Sequence, residues 1–340
     1  MNLARFCKAM PKVELHVHVE GSIQPETLLK LAEKNSISLP ATDVQGIRDW
    51  YAFRDFPHFI EVYVAVSKCI KTAHDLEFVI REFVDGQCEQ NIIHTEATFS
   101  ASTIERVVGI PWEQQEQALL KGIRYGEERG VSVGFVLDIV RGDTLEGAMK
   151  VAEWATQSEA VVALGLAGDE RRGTKIYTPC FELAHSRNVP LVPHAGETMG
   201  AESIWETIEA CQPLRIGHGV HCVEDAKLVA LLRDRGTPLE VCPSSNVALG
   251  VYKSLDDHPL PQMLDEGLWV TINSDDPPMF GTTLGDEFLK CAQAFELNED
   301  ILWSLSLNAA NAAILPKDRK RALIERMRTQ FSKLAETSSP

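Results

Sequence analysis

Two histidines one residue apart, His16 and His18, close the stretch Val13-Glu14-Leu15-His16-Val17-His18-Val19-Glu20-Gly21. The stretch alternates apolar and polar residues, is rich in β-branched side chains and stops at a glycine, so it reads as a strand ending in a tight turn. A repeat of two puts both imidazoles on one face. That pair can chelate a metal ion if other parts of the chain bring further ligands. Ionisable residues recur just beyond later apolar runs: His194 and Glu197, then His218, then Asp275 and Asp276. Three imidazoles and a carboxylate suit a borderline divalent ion such as Zn²⁺, and we expect His16, His18, His194 and Asp275 to hold one such ion per chain. Such an ion makes hydroxide available near neutral pH. His218 is then left over for catalysis.

These residues can meet only if the chain brings distant strand ends together. After the opening strand, short apolar runs at 92–99, 132–139, 161–166, 189–193, 214–217, 239–241 and 268–273 read as seven more strands. Helical spacing separates them, with Pro25 suited to start a helix over 25–32 and further helices at 59–70, 112–128 and 144–157. Eight strands alternating with helices predict an α/β fold, a (β/α)₈ barrel with extra helices after the first strand and at the C-terminus (301–314 and 319–334), forming one domain over 1–340. A doubly wound sheet is disfavoured because its Gly-x-Gly-x-x-Gly turn is missing. In such barrels the site lies at the carboxyl ends of the strands, where His16, His18, Gly168, His194, Glu197, His218, Asp275 and Asp276 all fall. A two-metal site would need a bridging group, commonly a modified lysine, at the end of the fourth strand; Leu166-Ala167-Gly168 stands there, which favours one ion. His94 has the mid-strand position of a core residue, His221 that of an ordinary loop histidine, and His58, His74, His185 and His258 are given no role.

The aromatic run over 50–59 is too apolar for an ordinary connection. It has the character of a lid over a flat ligand, with Phe56 and Phe59 as contacts, although packing onto the barrel alone would also account for such residues. The formal net charge of −16 over 340 residues argues against a nucleic-acid partner, whose binders present a basic face. A small neutral or cationic ligand fits that field better. No apolar run is long enough to suggest a membrane span, and the first residues lack the order of a secretory signal, which predicts a cytoplasmic chain. The eight cysteines are scattered without a Cys-x-x-Cys pair, so neither disulfides nor a thiolate metal site is expected. A polar tail after the last helix is expected to fray.

Six motifs in order carry a closer likeness: His16-Val17-His18-Val19-Glu20-Gly21, Leu166-Ala167-Gly168-Asp169-Glu170, His194-Ala195-Gly196-Glu197, Arg215-Ile216-Gly217-His218-Gly219, Cys242-Pro243-Ser244-Ser245-Asn246 and Ser274-Asp275-Asp276-Pro277. Together they resemble the successive motifs of the adenosine deaminase family within the amidohydrolase superfamily, over about residues 10 to 315. The resemblance implies a mononuclear zinc barrel that hydrolyses the exocyclic 6-amino group of an aminopurine or its nucleoside. It implies that Glu197 shuttles a proton to ring N1, that His218 orients the hydroxide, that Asp276 hydrogen-bonds N7, and that the Gly168 N–H donates to N3. Glu20 stands where many adenosine-specific members carry an aspartate on the ribose, and members acting on free adenine also have glutamate there. The Tyr51 to Tyr63 region and the residues after Ser274 are similar to a bacterial branch that includes aminodeoxyfutalosine deaminases of menaquinone synthesis. Their substrate carries an aromatic carboxylate, for which Arg54 and Lys68 are candidates by position. An adenine nucleoside is the first expectation, with adenine and aminodeoxyfutalosine as alternatives; a catalytically silent nucleoside-binding barrel and a metal-dependent phosphoesterase are less favoured. The oligomeric state is not encoded in these motifs.

Overall fold

The computed structural model describes residues 2–336. Eight parallel strands lie in sequence order: β1 (Lys12–His18), β2 (Ile92–Phe99), β3 (Ser132–Val140), β4 (Val161–Ala167), β5 (Leu191–Ala195), β6 (Ile216–His218), β7 (Leu239–Val241) and β8 (Val270–Ile272). The two ends of the sheet meet just beyond β8. There the His18 N–H donates to the Asp275 carbonyl at 2.9 Å and the Asp275 N–H donates to the His16 carbonyl at 3.1 Å. The sheet thereby closes into the expected (β/α)₈ barrel. Parallel neighbours require long crossovers, and helices supply them.

The strands are buried on both faces, which explains their near-continuous apolar character. Val136, Ala163 and Val192 from β3, β4 and β5 form a small cluster of their own. Two residues further along the same faces come Asp138, Gly165 and His194, so the polar layer begins directly above that apolar one. Four helices follow β1: Pro25–Lys34, Val44–Tyr51, Phe56–Ser67 and Ala73–Glu89. Pro25 does open the first of them. The third starts three residues before its expected position because the Asp55 carboxylate caps it, accepting from the His58 N–H, and Pro57 sits in its first turn.

The later strands are shorter than their apolar runs. Pro190 has no N–H to give to a ladder, and β5 begins after it. Leu214 is 48% exposed and precedes β6 rather than joining it. A helix at Leu3–Ala9 was not expected from spacing, since seven residues make barely two turns. It buries Phe6 and Cys7 with Phe288 and Cys291, and Lys12 caps its end by donating to the carbonyls of Cys7, Lys8 and Met10. At the C-terminus the helices run over Glu299–Ala312 and Lys317–Glu336. The rest of the tail expected to fray, 337–340, lies outside the described residues.

Candidate active site and metal centre

His16 and His18 project from the end of β1, His194 from β5 and Asp275 from the turn after β8. One ligand atom from each of the four lies within 4.8 Å of every other. Asp275 Oδ1 is 3.5 Å from His16 Nε2 and 3.2 Å from His18 Nε2. Against the upward push of burial, the adjacent His16 and His18 imidazoles hold the Asp275 carboxyl well below its ordinary range. His16 Nε2 and His194 Nδ1 are buried with no hydrogen-bond partner, a costly state unless something else satisfies them. A metal ion would satisfy such groups, and the donor set fits one. His16, His218, Cys242 and Asp275 form an overlapping group. The Cys242 thiol donates to the Glu240 carbonyl, and burial, followed by Asp275, pushes it well above its ordinary value. A thiolate ligand is therefore disfavoured there, and His194 and His18 complete the better set.

The other face of His16 is tied to a buried chain of charges. Its Nδ1 is 2.9 Å from Glu240 Oε2, which fixes Nε2 toward the centre of the site. The Arg215 guanidinium donates to Glu240 and lies 2.7 Å from Glu96 Oε2. Burial alone would raise Glu96, but the Arg215 charge overcomes it and holds the carboxyl at about 2. His94, expected to be a core residue, bonds this Glu96 at 3.1 Å.

Glu197 follows His194 on a turn whose backbone is gripped by a second carboxylate. Glu170 accepts from the N–H groups of Glu197, Thr198 and Met199. Burial, then the charges of Asp275 and Glu170, push Glu197 up to about 8, toward the protonated form. Glu197 Oε1 is 3.8 Å from His218 Nε2. Burial, aided by the neighbouring His16, lowers His218 to about 3 and keeps it neutral. His218 and Asp275 both have left-handed backbones, with φ of 59° and 63°. Such conformations are uncommon for residues other than glycine and cluster at functional sites.

Above these groups lies a cavity of about 160 Å³. His18, His194, Glu197, His218, Asp275 and Asp276 line its polar end, with the Gly168 backbone beside them. Gly168 has φ +92°, which lets its main chain bend to the cavity. Asp276 Oδ1 is buried without a partner, and burial, then Asp275, raise its carboxyl well above the ordinary value. A Cβ on Gly21 would fall 1.5 Å from that oxygen, so only glycine leaves Asp276 its place. Phe56 and Phe59 both line the apolar side. Phe59 also packs against Phe280, with ring centroids 5.5 Å apart, so it serves core and cavity together.

Glu20 is fully buried just outside that lining. Its two oxygens accept from the Tyr63 hydroxyl at 3.2 Å and the Ser100 N–H at 3.0 Å. Arg54 and Lys68 are exposed and absent from the cavity wall. The cation that does line it is Arg106, with Thr103 one turn away on the helix Ala101–Val108. Arg106 Nη1 donates to Asp143 at 2.7 Å. A survey of each segment following a strand, rather than of the lid alone, would have singled it out. Arg141 was also missed: it donates to the His194 carbonyl at 2.6 Å and so steadies that strand end. His221 pairs with Glu224 near the surface, as an ordinary loop residue would.

With this geometry in place, comparisons with known proteins are specific. The family model described as adenosine deaminase matches residues 11–330. An adenine deaminase of Chlorobium phaeobacteroides is 33% identical over 327 residues, 95% of this chain and 97% of that relative. An aminodeoxyfutalosine deaminase of Streptomyces coelicolor is 35% identical over 334 residues, 96% of this chain and 86% of that relative. Among solved structures, adenine deaminase from Arthrobacter aurescens superposes with a TM-score of 0.90 at 30% identity, covering 96% of this chain and all of that one (100%). The match runs through every strand and every motif of the site, and the chain belongs to the adenosine deaminase family.

Proposed function

We propose that the protein hydrolyses the 6-amino group of an adenine nucleoside, adenosine or 2′-deoxyadenosine, giving the 6-oxopurine nucleoside and ammonia. The observation that carries this reading is the buried Glu197 carboxyl, which lines the cavity together with His18, His194 and Asp275 of the four-residue metal-ligand set. His16, His18, His194 and Asp275 would hold a zinc ion, which when bound would make hydroxide available near neutral pH. Addition of hydroxide at C6 breaks the aromaticity of the ring, so N1 must gain a proton in the same step. Glu197 would give N1 that proton, and its carboxylate would then carry the proton of the new C6 hydroxyl to the amino group, so that the C6–N bond breaks, ammonia leaves and the 6-oxo group forms. Asp276, whose carboxyl burial and the neighbouring Asp275 push toward the protonated form, would donate to N7, an acceptor, and the Gly168 N–H to N3. The purine is held edge-on by these donors and covered by Phe56 and Phe59.

A second reading, favoured by Arg106 in the cavity wall, is a nucleoside with a carboxylate at its far end, as in aminodeoxyfutalosine. Metal analysis and ammonia release test the common chemistry. Glu197→Gln should keep its zinc and lose about 10²–10⁴-fold in kcat, and a variant with full activity would overturn the mechanism. A panel of adenine, adenosine, 2′-deoxyadenosine and aminodeoxyfutalosine, ranked by kcat/KM, separates the substrates. If the carboxylate substrate leads and Arg106→Met depresses it alone, the second reading replaces the first.

A further inference from the structure

His258 lies in the segment before β8, outside the cavity, and was expected to have no role. It is 3% exposed, and Asn246 is fully buried between it and His218. Three contacts join them. The Leu260 N–H donates to His258 Nδ1 at 3.1 Å. His258 Nε2 is 3.2 Å from Asn246 Oδ1. Asn246 Nδ2 is 3.3 Å from His218 Nδ1.

The direction of this chain follows from its first member. A backbone N–H can only donate, so His258 Nδ1 carries no proton and Nε2 must carry one. That N–H needs an acceptor, which assigns the Asn246 oxygen to His258 and the amide nitrogen to His218. The amide then donates to His218 Nδ1, leaving the His218 proton on Nε2. His218 Nε2 faces the reacting centre, 3.8 Å from Glu197 Oε1 and 3.9 Å from Asp275 Oδ2.

We infer that Asn246 and His258 are positioning residues that hold His218 as the Nε2–H tautomer, so that it acts on the attacking oxygen as a hydrogen-bond donor and not as a base. The inference rests on the deaminase reading for the identity of that oxygen. The tautomer itself does not depend on it. His218 then offers that oxygen an N–H and no lone pair, so it does not itself take up a proton there. The supporting residues come from the helix Pro243–Ala248 and from the segment entering Leu260–Asp265, so the single connection between β7 and β8 sets the chemistry of a residue on β6.

Nitrogen-15 NMR of the zinc-loaded, histidine-labelled protein tests this directly. His218 in the native enzyme should show a protonated Nε2 and a bare Nδ1. Asn246→Asp turns the donor into an acceptor and should move the proton to Nδ1. That change should lower kcat by about 10²-fold, the usual cost of removing one donor from a reacting oxygen, while KM and zinc content stay near native values. His258→Phe should leave His218 in mixed tautomers, and His258→Gln, which can still donate to Asn246, should restore the native spectrum and most of the rate. A bare Nε2 in the native enzyme, or an Asn246→Asp variant that keeps both the native tautomer and the native rate, overturns the inference. A correct tautomer in a protein inactive on every aminopurine would instead overturn the functional reading alone.

Discussion

Two polar clusters share the barrel interior and meet at His16. On one side, Glu96, Arg215 and Glu240 place each charge against an opposite one, with backbone groups of Ala312 and Ile314 drawn in as further partners. Glu96 Oε2 and Arg215 Nη2 make no hydrogen bond among the described residues but face each other as an ion pair at 2.7 Å, whereas on the other side His16 Nε2, His194 Nδ1 and Asp276 Oδ1, also buried, have no hydrogen-bond partner among the described residues. Burial is thus common to both and cannot distinguish them. The difference lies in the pairing: in the first cluster each charge meets its counter-charge, and the second leaves the donor set that a metal ion and a substrate would complete. Buried charges are retained where they are paired, and unpaired buried donors and acceptors mark places where something binds.

The largest expected effect comes from breaking the paired cluster. Arg215→Met leaves Glu96 and Glu240 facing each other without their cation, and should destabilise the fold by about 3–5 kcal/mol. Urea unfolding measures this, and a midpoint within error of the native protein would deny the cluster its structural role. A smaller effect is expected where the clusters join. Glu240→Gln weakens the acceptor that orients His16 and should reduce metal affinity by about 10–100-fold, measured by chelator competition. An unchanged affinity would mean that His16 is positioned by its strand alone. The smallest effect is pH-dependent. Glu96 sits at about 2 in the folded protein against an ordinary value of 4.5, so the unfolded chain takes up its proton more readily. Its contribution to stability is whole above pH 4.5 and is lost as the pH falls toward 2. Stability of Glu96→Gln should therefore decline less steeply across that range, and parallel acid-unfolding curves would count against the pairing.

The same contrast accounts for what the sequence disclosed. The barrel was legible because each strand is an apolar run ending in a turn, and the site because ionisable residues collect at those endings. His16, His18, His194, Glu197, His218, Asp275 and Asp276 all arrive at one place for that reason. The paired cluster left no such trace. Arg215 sits inside a strand-like run, and its partners Glu96 and Glu240 are remote in sequence, so nothing local reveals the pairing. His258 is legible only through Asn246, and Arg106 only once the helix after β2 is seen to turn toward the cavity. The short helix Leu3–Ala9 escaped because seven residues define no period. Boundaries at β5 and β6 slipped because hydrophobicity continues past the point where Pro190 and the exposed Leu214 end the ladder.

The left-handed backbones at His218 and Asp275 bear on how this barrel could be improved. Each such residue carries a strain of about 1–3 kcal/mol that glycine or asparagine would relieve. A programme of thermostabilisation guided by backbone preference alone would therefore choose these two positions early. Its product would be a sturdier barrel with an empty centre. Gains in heat resistance have to come from the outer helices and loops, because at the ends of β6 and β8 the most comfortable residue is the wrong one.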